Sequence, residues 1–139
     1  MPPISAILEA TLYARDLKAA EAFYAGTLGL EVVLRLEGRH VFFRCGPTVL
    51  LVFDPDAARA PGSGDLAAPP HGADGPGHVC FAAPRAALAE WEATLSERDV
   101  EIERRITWPN GARSIYVRDP AGNSVEFAEP KLWESDRDG

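Results

Sequence analysis

Three side chains stand out for the chemistry they could do. His78 opens a short apolar strand in residues 75–83 (GPGHVCFAA), Glu126 sits between Val125 and Phe127, and Glu9 lies in residues 7–14 (ILEATLYA). An imidazole can ligate a metal or pass a proton near neutral pH. A carboxylate inside an apolar strand is costly to bury unless a charge or a hydrogen-bond donor meets it. Strand alternation sets Cys80 and Ala82 on the face of His78, with Val79 and Phe81 toward a core. By the same rule Ser124, Glu126 and Ala128 share one face, and Val125 and Phe127 the other. In residues 7–14, Ile7, Glu9, Thr11 and Tyr13 form a face bearing a carboxylate, a hydroxyl and a phenol, which reads as a cavity wall.

The elements that must position these residues follow from periodicity. After the strand at 7–14, Asp16 caps a helix whose Leu17, Ala20, Phe23, Tyr24 and Leu28 repeat at helical spacing, and Gly29 ends it. Phe23 and Tyr24 are expected in the core. Strands are expected at 30–36, 41–45 and 48–53, divided by turns at Gly38 and Gly46-Pro47. Residues 54–77, rich in Pro, Gly, Ala and Asp, have no period and read as a linker or as a flap at a pocket mouth. The order then restarts with a strand at 78–82 and a helix over 85–98 that carries Leu88, Trp91 and Leu95. Strands follow at 100–106, 112–118 and 123–128, the last two joined by an Asp119-Pro120-Ala121-Gly122 turn.

The chain therefore repeats itself, strand, helix and three strands, twice. Overlaying the halves sets Glu9 on His78, Phe23 within one residue of Trp91, and, with one residue of turn allowed to differ, Leu50 on Glu126. The polar strand residues of the two halves thus fall at matched positions, which favours a functional role for Glu126 over a merely exposed one.

Composition narrows the partners. A chain of 139 residues with net charge −7 lacks the clustered cations that a phosphate backbone requires, so no nucleic-acid partner is expected. Anionic substrates remain compatible with a few locally placed arginines. No run of 18 apolar residues and no leader pattern occurs, so neither a membrane span nor secretion is expected. Cys45 and Cys80 have no CxxC partner and suit reduced thiols in a cytoplasm. The charged end, residues 130–139, reads as a solvated tail.

Three segments carry a resemblance: LYARDLKAAEAFYAGTLGLEV, GPGHVCF and YVRDPAGNSVEF. They are similar to the vicinal oxygen chelate superfamily, which includes glyoxalases, fosfomycin-resistance proteins, extradiol dioxygenases and bleomycin-resistance proteins. The resemblance covers nearly the whole chain. It implies an α+β fold of two tandem βαβββ modules, about 5–54 and 78–129, whose curled mixed sheets form one cup around a divalent metal.

By position it implies Glu9, His78 and Glu126 as metal ligands, and a homodimer in which Glu9 comes from the same or the partner subunit. Leu50 stands where glyoxalases supply a fourth ligand, which leaves open positions for substrate oxygens. Two carboxylates and one imidazole favour Mn²⁺ or Mg²⁺, with Ni²⁺, Co²⁺, Zn²⁺ and Fe²⁺ also admissible. The implied activity is that of a glyoxalase-type lyase or isomerase on a small oxygen-chelating substrate, with Glu126 or Glu9 moving the proton and Tyr13, Arg44 and Tyr116 orienting the substrate. The alternatives are an extradiol-type dioxygenase, an antibiotic-modifying transferase, and a binding protein of the bleomycin-resistance type. The dioxygenase pattern wants a second histidine. His40 and His71 are the two others in the chain, and both read as solvated.

Overall fold

The computed structural model describes residues 1–134; most of the expected acidic tail, 135–139, lies outside the described residues. Residues Pro130–Trp133, placed in that tail by the sequence, form a 3-10 turn. The chain divides into two compact units, Met1–Gly77 and the stretch from His78 on. Each is a βαβββ module built on a four-stranded mixed sheet, so the fold is α+β.

In the first unit, β1 (Glu9–Tyr13) runs parallel to β4 (Thr48–Phe53). Antiparallel neighbours β3 (His40–Cys45) and β2 (Glu31–Leu36) complete the order β1-β4-β3-β2. Parallel strands cannot be joined by a tight hairpin, so the chain leaves β1 through a helix. That helix, α1 (Leu17–Glu21), starts where the Asp16 carboxylate accepts the Ala19 N–H at 3.0 Å. It continues as a π-helical stretch, Ala22–Thr27. Ala20, Phe23, Tyr24 and Leu28 are buried, as their spacing predicts, and Tyr24 packs against Phe43 with ring centroids 5.4 Å apart. Gly29 ends the helix with φ +78°, a left-handed conformation that side chains rarely adopt.

The second unit repeats this plan in the order β5-β8-β7-β6, with β5 (His78–Ala82) parallel to β8 (Ser124–Ala128) and β7 (Arg113–Arg118) antiparallel to β8 and to β6 (Arg104–Thr107). The crossover helix is α3 (Arg85–Glu97); its Trp91 lies 4.8 Å from Phe127, on the sheet face opposite Glu126. The last strand trio begins later than the sequence predicts. Asp99 takes φ 57° and the Val100 N–H bonds back to the Leu95 carbonyl at 2.8 Å, so residues expected to open a strand are used to close the helix.

The linker is also more ordered than its composition suggests. Residues Pro55–Arg59 form a short helix, α2, because the Asp54 carboxylate caps the N–H groups of Asp56 and Ala57 and a proline occupies the first turn. Composition alone hides this, since Pro and Asp signal both loops and helix starts.

His40 is not the solvated side chain expected. Its ring stacks on Phe42 at 4.1 Å and meets the edge of Phe53, and its Nδ1 is buried with no hydrogen-bond partner among the described residues. Burial, aided by the neighbouring Arg39, holds its pKa below the ordinary value of 6.5. The unfolded chain therefore takes up the proton first as pH falls through 6.5, and stability drops from there down to the lower folded value. Urea midpoints measured across this range are expected to fall more steeply for the wild type than for His40→Gln; parallel curves would show that His40 does not contribute.

Candidate metal centre

Strand pairing fixes which side chains share a face. Across the second sheet His78 pairs with Ser124 and Ser124 with Arg118; one row further, Cys80 pairs with Glu126, Glu126 with Tyr116, and Tyr116 with Arg104. His78, Glu126 and Tyr116 thus lie on one surface, as strand alternation predicts for the first two.

Glu126 is only 6 % exposed. Its Oε2 accepts the Ser114 hydroxyl at 2.6 Å, and its Oε1 lies 3.2 Å from His78 Nε2. On the other side of the imidazole, Nδ1 lies 3.1 Å from the Ser124 carbonyl oxygen and 3.2 Å from Ser124 Oγ. Nδ1 can donate to the carbonyl, or accept from the Ser124 hydroxyl while Nε2–H donates to Glu126; both tautomers satisfy these contacts. An imidazole nitrogen and a carboxylate oxygen 3.2 Å apart are two donor atoms that a proton on Nε2 can bridge or a cation can share. The donor chemistry of the pair therefore fits a divalent ion, and the Ser124 contact at Nδ1 is the kind of support that orients a ligating histidine.

The neighbours stay neutral. The Tyr116 phenol is pushed up to about 12, first by burial and then by its hydrogen bond to Glu126 and that group's charge, and its ring stacks near His78 with centroids 6.3 Å apart. The Cys80 thiol is likewise pushed up to about 12, by burial first and the Glu126 charge second. At neutral pH both are protonated groups beside a carboxylate.

The other sequence-derived candidates lie on the first unit. Glu9 on β1 is exposed and pairs with Val49, and Arg44, also exposed, flanks Val49 from the other side, so the two share a face across one strand. Tyr13 is drawn to the linker: its hydroxyl lies 2.6 Å from His71 Nδ1, and the His71 ring sits on the edge of Phe53 at 4.7 Å. His71 is thus engaged by the sheet rather than merely solvated. The structure brings His78 and Glu126 together with Tyr116. Among the described residues, no group of three or more His, Cys, Asp and Glu side chains is placed to hold a metal. An open groove of about 880 Å³ in the first unit, lined by Arg15, Lys18, Glu21, Arg35 and His40, contains none of the six candidate residues.

One sequence overlay needs correction. Leu50 pairs with Ala10 and is 2 % exposed, on the face away from Glu9, whereas Leu51 pairs with Thr11 as Glu126 pairs with Cys80. The repeat mate of Glu126 is Leu51. The two β3–β4-type turns differ in length, and a one-residue error in the overlay reverses the face. Leu51, like Leu50, offers no ligand atom. Sequence reasoning also missed Ser114 and Trp108. Ser114 lies two residues before Tyr116 on the same strand, so alternation could have found it; nothing in the sequence marks Trp108, which follows β6 in a turn.

The model of the Glyoxalase/Bleomycin resistance protein/Dioxygenase superfamily matches residues 6–127, and the chain belongs to this superfamily. Among solved structures, lactoylglutathione lyase from Agrobacterium tumefaciens is 49 % identical and superimposes over 96 % of this chain and 100 % of its own, with a TM-score of 0.91. A glyoxalase / bleomycin resistance protein from Catenulispora acidiphila (24 % identity, 90 % and 98 % coverage, TM-score 0.63) shares the fold. So does a virulence protein from Salmonella typhimurium (19 %, 92 % and 98 %, TM-score 0.71). A comparison with curated proteins finds no match. No helix among the described residues is long and apolar enough to cross a membrane.

The linker is tied to the first sheet by His71, through Tyr13 and Phe53, and to itself by further bonds. The His71 N–H donates to the Ala58 carbonyl at 3.1 Å and Arg59 pairs with Asp74 at 2.8 Å, so His71 also fastens the far end of the linker to α2. Replacing His71 by Ala is expected to speed tryptic cleavage after Arg59 by about threefold to tenfold, the factor that one lost hydrogen bond represents. An unchanged cleavage rate would show that His71 does not hold this segment down.

Proposed function

We propose that this chain is a divalent-metal-dependent lyase or isomerase of the glyoxalase type, acting on a small substrate that offers two adjacent oxygens. The observation that carries the reading is the buried Glu126 carboxylate, whose Oε1 lies 3.2 Å from His78 Nε2 while Nδ1 of the same ring contacts Ser124. The 49 % identity to lactoylglutathione lyase of Agrobacterium tumefaciens supports the reaction class.

His78 and Glu126 hold the ion, with Glu9 as the third ligand from this subunit or its partner in a cytoplasmic homodimer; the free thiols Cys45 and Cys80 agree with a reducing compartment. Held by these residues, a divalent ion would supply Lewis-acid chemistry toward two vicinal substrate oxygens; two carboxylates and one imidazole suit Mn²⁺ or Mg²⁺, and Ni²⁺, Co²⁺, Zn²⁺ and Fe²⁺ are accepted by similar donors.

The chain's own groups do the rest. With Oε2 engaged by Ser114, Glu126 would take and return a substrate proton through Oε1 once substrate displaces that oxygen from the ion, and Glu9 is the alternative base. The Tyr116 hydroxyl, protonated at neutral pH and hydrogen-bonded to Glu126, would turn its one hydrogen from that carboxylate toward negative charge developing on the substrate. Arg44 and Tyr13 orient the substrate from the first module's sheet.

Metal analysis of protein purified without chelator tests the reading. We expect about one ion per chain in the wild type and its loss in Glu9→Ala, His78→Ala and Glu126→Ala, together with turnover of a thiol hemiacetal that falls at least about 100-fold in each variant. Metal retained by all three variants overturns the ligand assignment. A wild type that binds substrate but takes up no metal and shows no turnover is a binding protein instead.

A further inference from the structure

The carboxylate of Glu126 is held from behind by a chain of two hydrogen bonds that the proposed reaction does not itself use. Trp108 Nε1–H donates to Ser114 Oγ at 2.8 Å, and the Ser114 hydroxyl donates to Glu126 Oε2 at 2.6 Å. The direction of this chain is fixed by chemistry. An indole N–H can only donate, so the serine oxygen must accept there, and its single hydrogen is left for the carboxylate. Ser114 is 1 % exposed, so water does not compete for either bond.

The turn that supplies Trp108 is itself secured. Its N–H donates to the Ala112 carbonyl and its carbonyl accepts from Gly111, both at 2.8 Å. Asn110 Nδ2 donates to the Lys131 carbonyl at 2.9 Å, which ties the turn to the segment Pro130–Trp133. The indole therefore stands on a braced support, not on a freely moving loop.

We infer that Trp108 and Ser114 are positioning residues for the metal site: by anchoring Oε2 they fix the rotation of the Glu126 carboxylate so that Oε1 is the oxygen turned toward His78 Nε2. Rotation of the carboxylate to offer both oxygens would break the Ser114 bond and strand a buried hydroxyl. This inference rests on the metal-dependent reading above and adds to it the residues that set how Glu126 binds.

Mn²⁺ alone is the probe, with free ion followed by electron paramagnetic resonance and folding by thermal melting. Ser114→Ala is expected to weaken Mn²⁺ affinity about 10- to 100-fold, the usual effect of removing a partner that orients a ligand. Ser114→Thr, which keeps the hydroxyl, is expected to stay within about threefold of wild type, and Trp108→Phe to lose about threefold to tenfold, as for one hydrogen bond removed one step back. Wild-type affinity in folded Ser114→Ala and Trp108→Phe overturns the inference while leaving the function in place. Equal losses in Ser114→Ala and Ser114→Thr also overturn it, since the effect would then come from packing and not from the hydroxyl. Should Ser114→Ala fail to fold, Trp108→Phe decides, because it leaves the strand and the Ser114–Glu126 bond intact. Failure of the functional reading itself shows separately, as a wild type that takes up no Mn²⁺.

Discussion

A carboxylate buried in the middle of a β-sheet is the constraint around which the second module is arranged. Removing such a charge from water costs several kcal/mol unless donors replace the lost hydration. Here the Ser114 hydroxyl takes one oxygen and the His78 imidazole faces the other, while the Tyr116 phenol and the Cys80 thiol remain protonated alongside. These groups come from three neighbouring strands. The sheet must therefore keep β5, β8 and β7 in one register, because a slip of one residue would turn Glu126 to the helix side and Phe127 to the polar side.

The other face of the same sheet supplies the stability that such a polar surface does not. Val125, Phe127, Ile115 and Val117 are buried there, with Trp91 of the crossover helix tilted against Phe127. A buried aromatic or aliphatic side chain contributes about 1.5–3 kcal/mol of transfer free energy, so this face can offset the strained electrostatics opposite. The first module divides its faces in the same way but with different content. Its helix-side face packs Phe23, Tyr24 and Phe43, and its other face carries Glu9 and Arg44 beside an apolar cluster of Leu51, Phe53 and Phe42. The duplicated scaffold thus bears a polar surface with His78 and Glu126 in one copy and a largely apolar one in the other.

The linker joins this apolar surface through bonds that are individually weak. Arg59, Arg15, Asp56 and Asp74 form exposed pairs, which solvent screens to little net stabilisation. His71, docked on Tyr13 and Phe53, adds a ring contact and a hydrogen bond. A segment held this way is ordered and still able to open at modest energy.

Much of the architecture was legible without coordinates. The helical spacing of Ala20, Phe23, Tyr24 and Leu28, the caps at Asp16 and Gly29, and the repeated strand order all mark local elements, and periods of 3.6 and 2 report directly which side of each element is buried. The pairing of His78 and Glu126 on one face also follows from alternation, once both strands are assumed to lie in one sheet. What remained hidden depends on register between strands and on contacts across long sequence separations. Alternation says which face a residue takes but not which neighbour it meets, so Leu51 rather than Leu50 as the mate of Glu126, Trp108 behind Ser114, and His71 on Tyr13 appear only when strands and loops are set side by side. The sequence by itself determined the elements, their order and the chemical types available. Tertiary structure alone decided which oxygen of Glu126 meets Ser114 and which meets His78, because that is set by atoms twelve and more residues away whose approach no local pattern encodes.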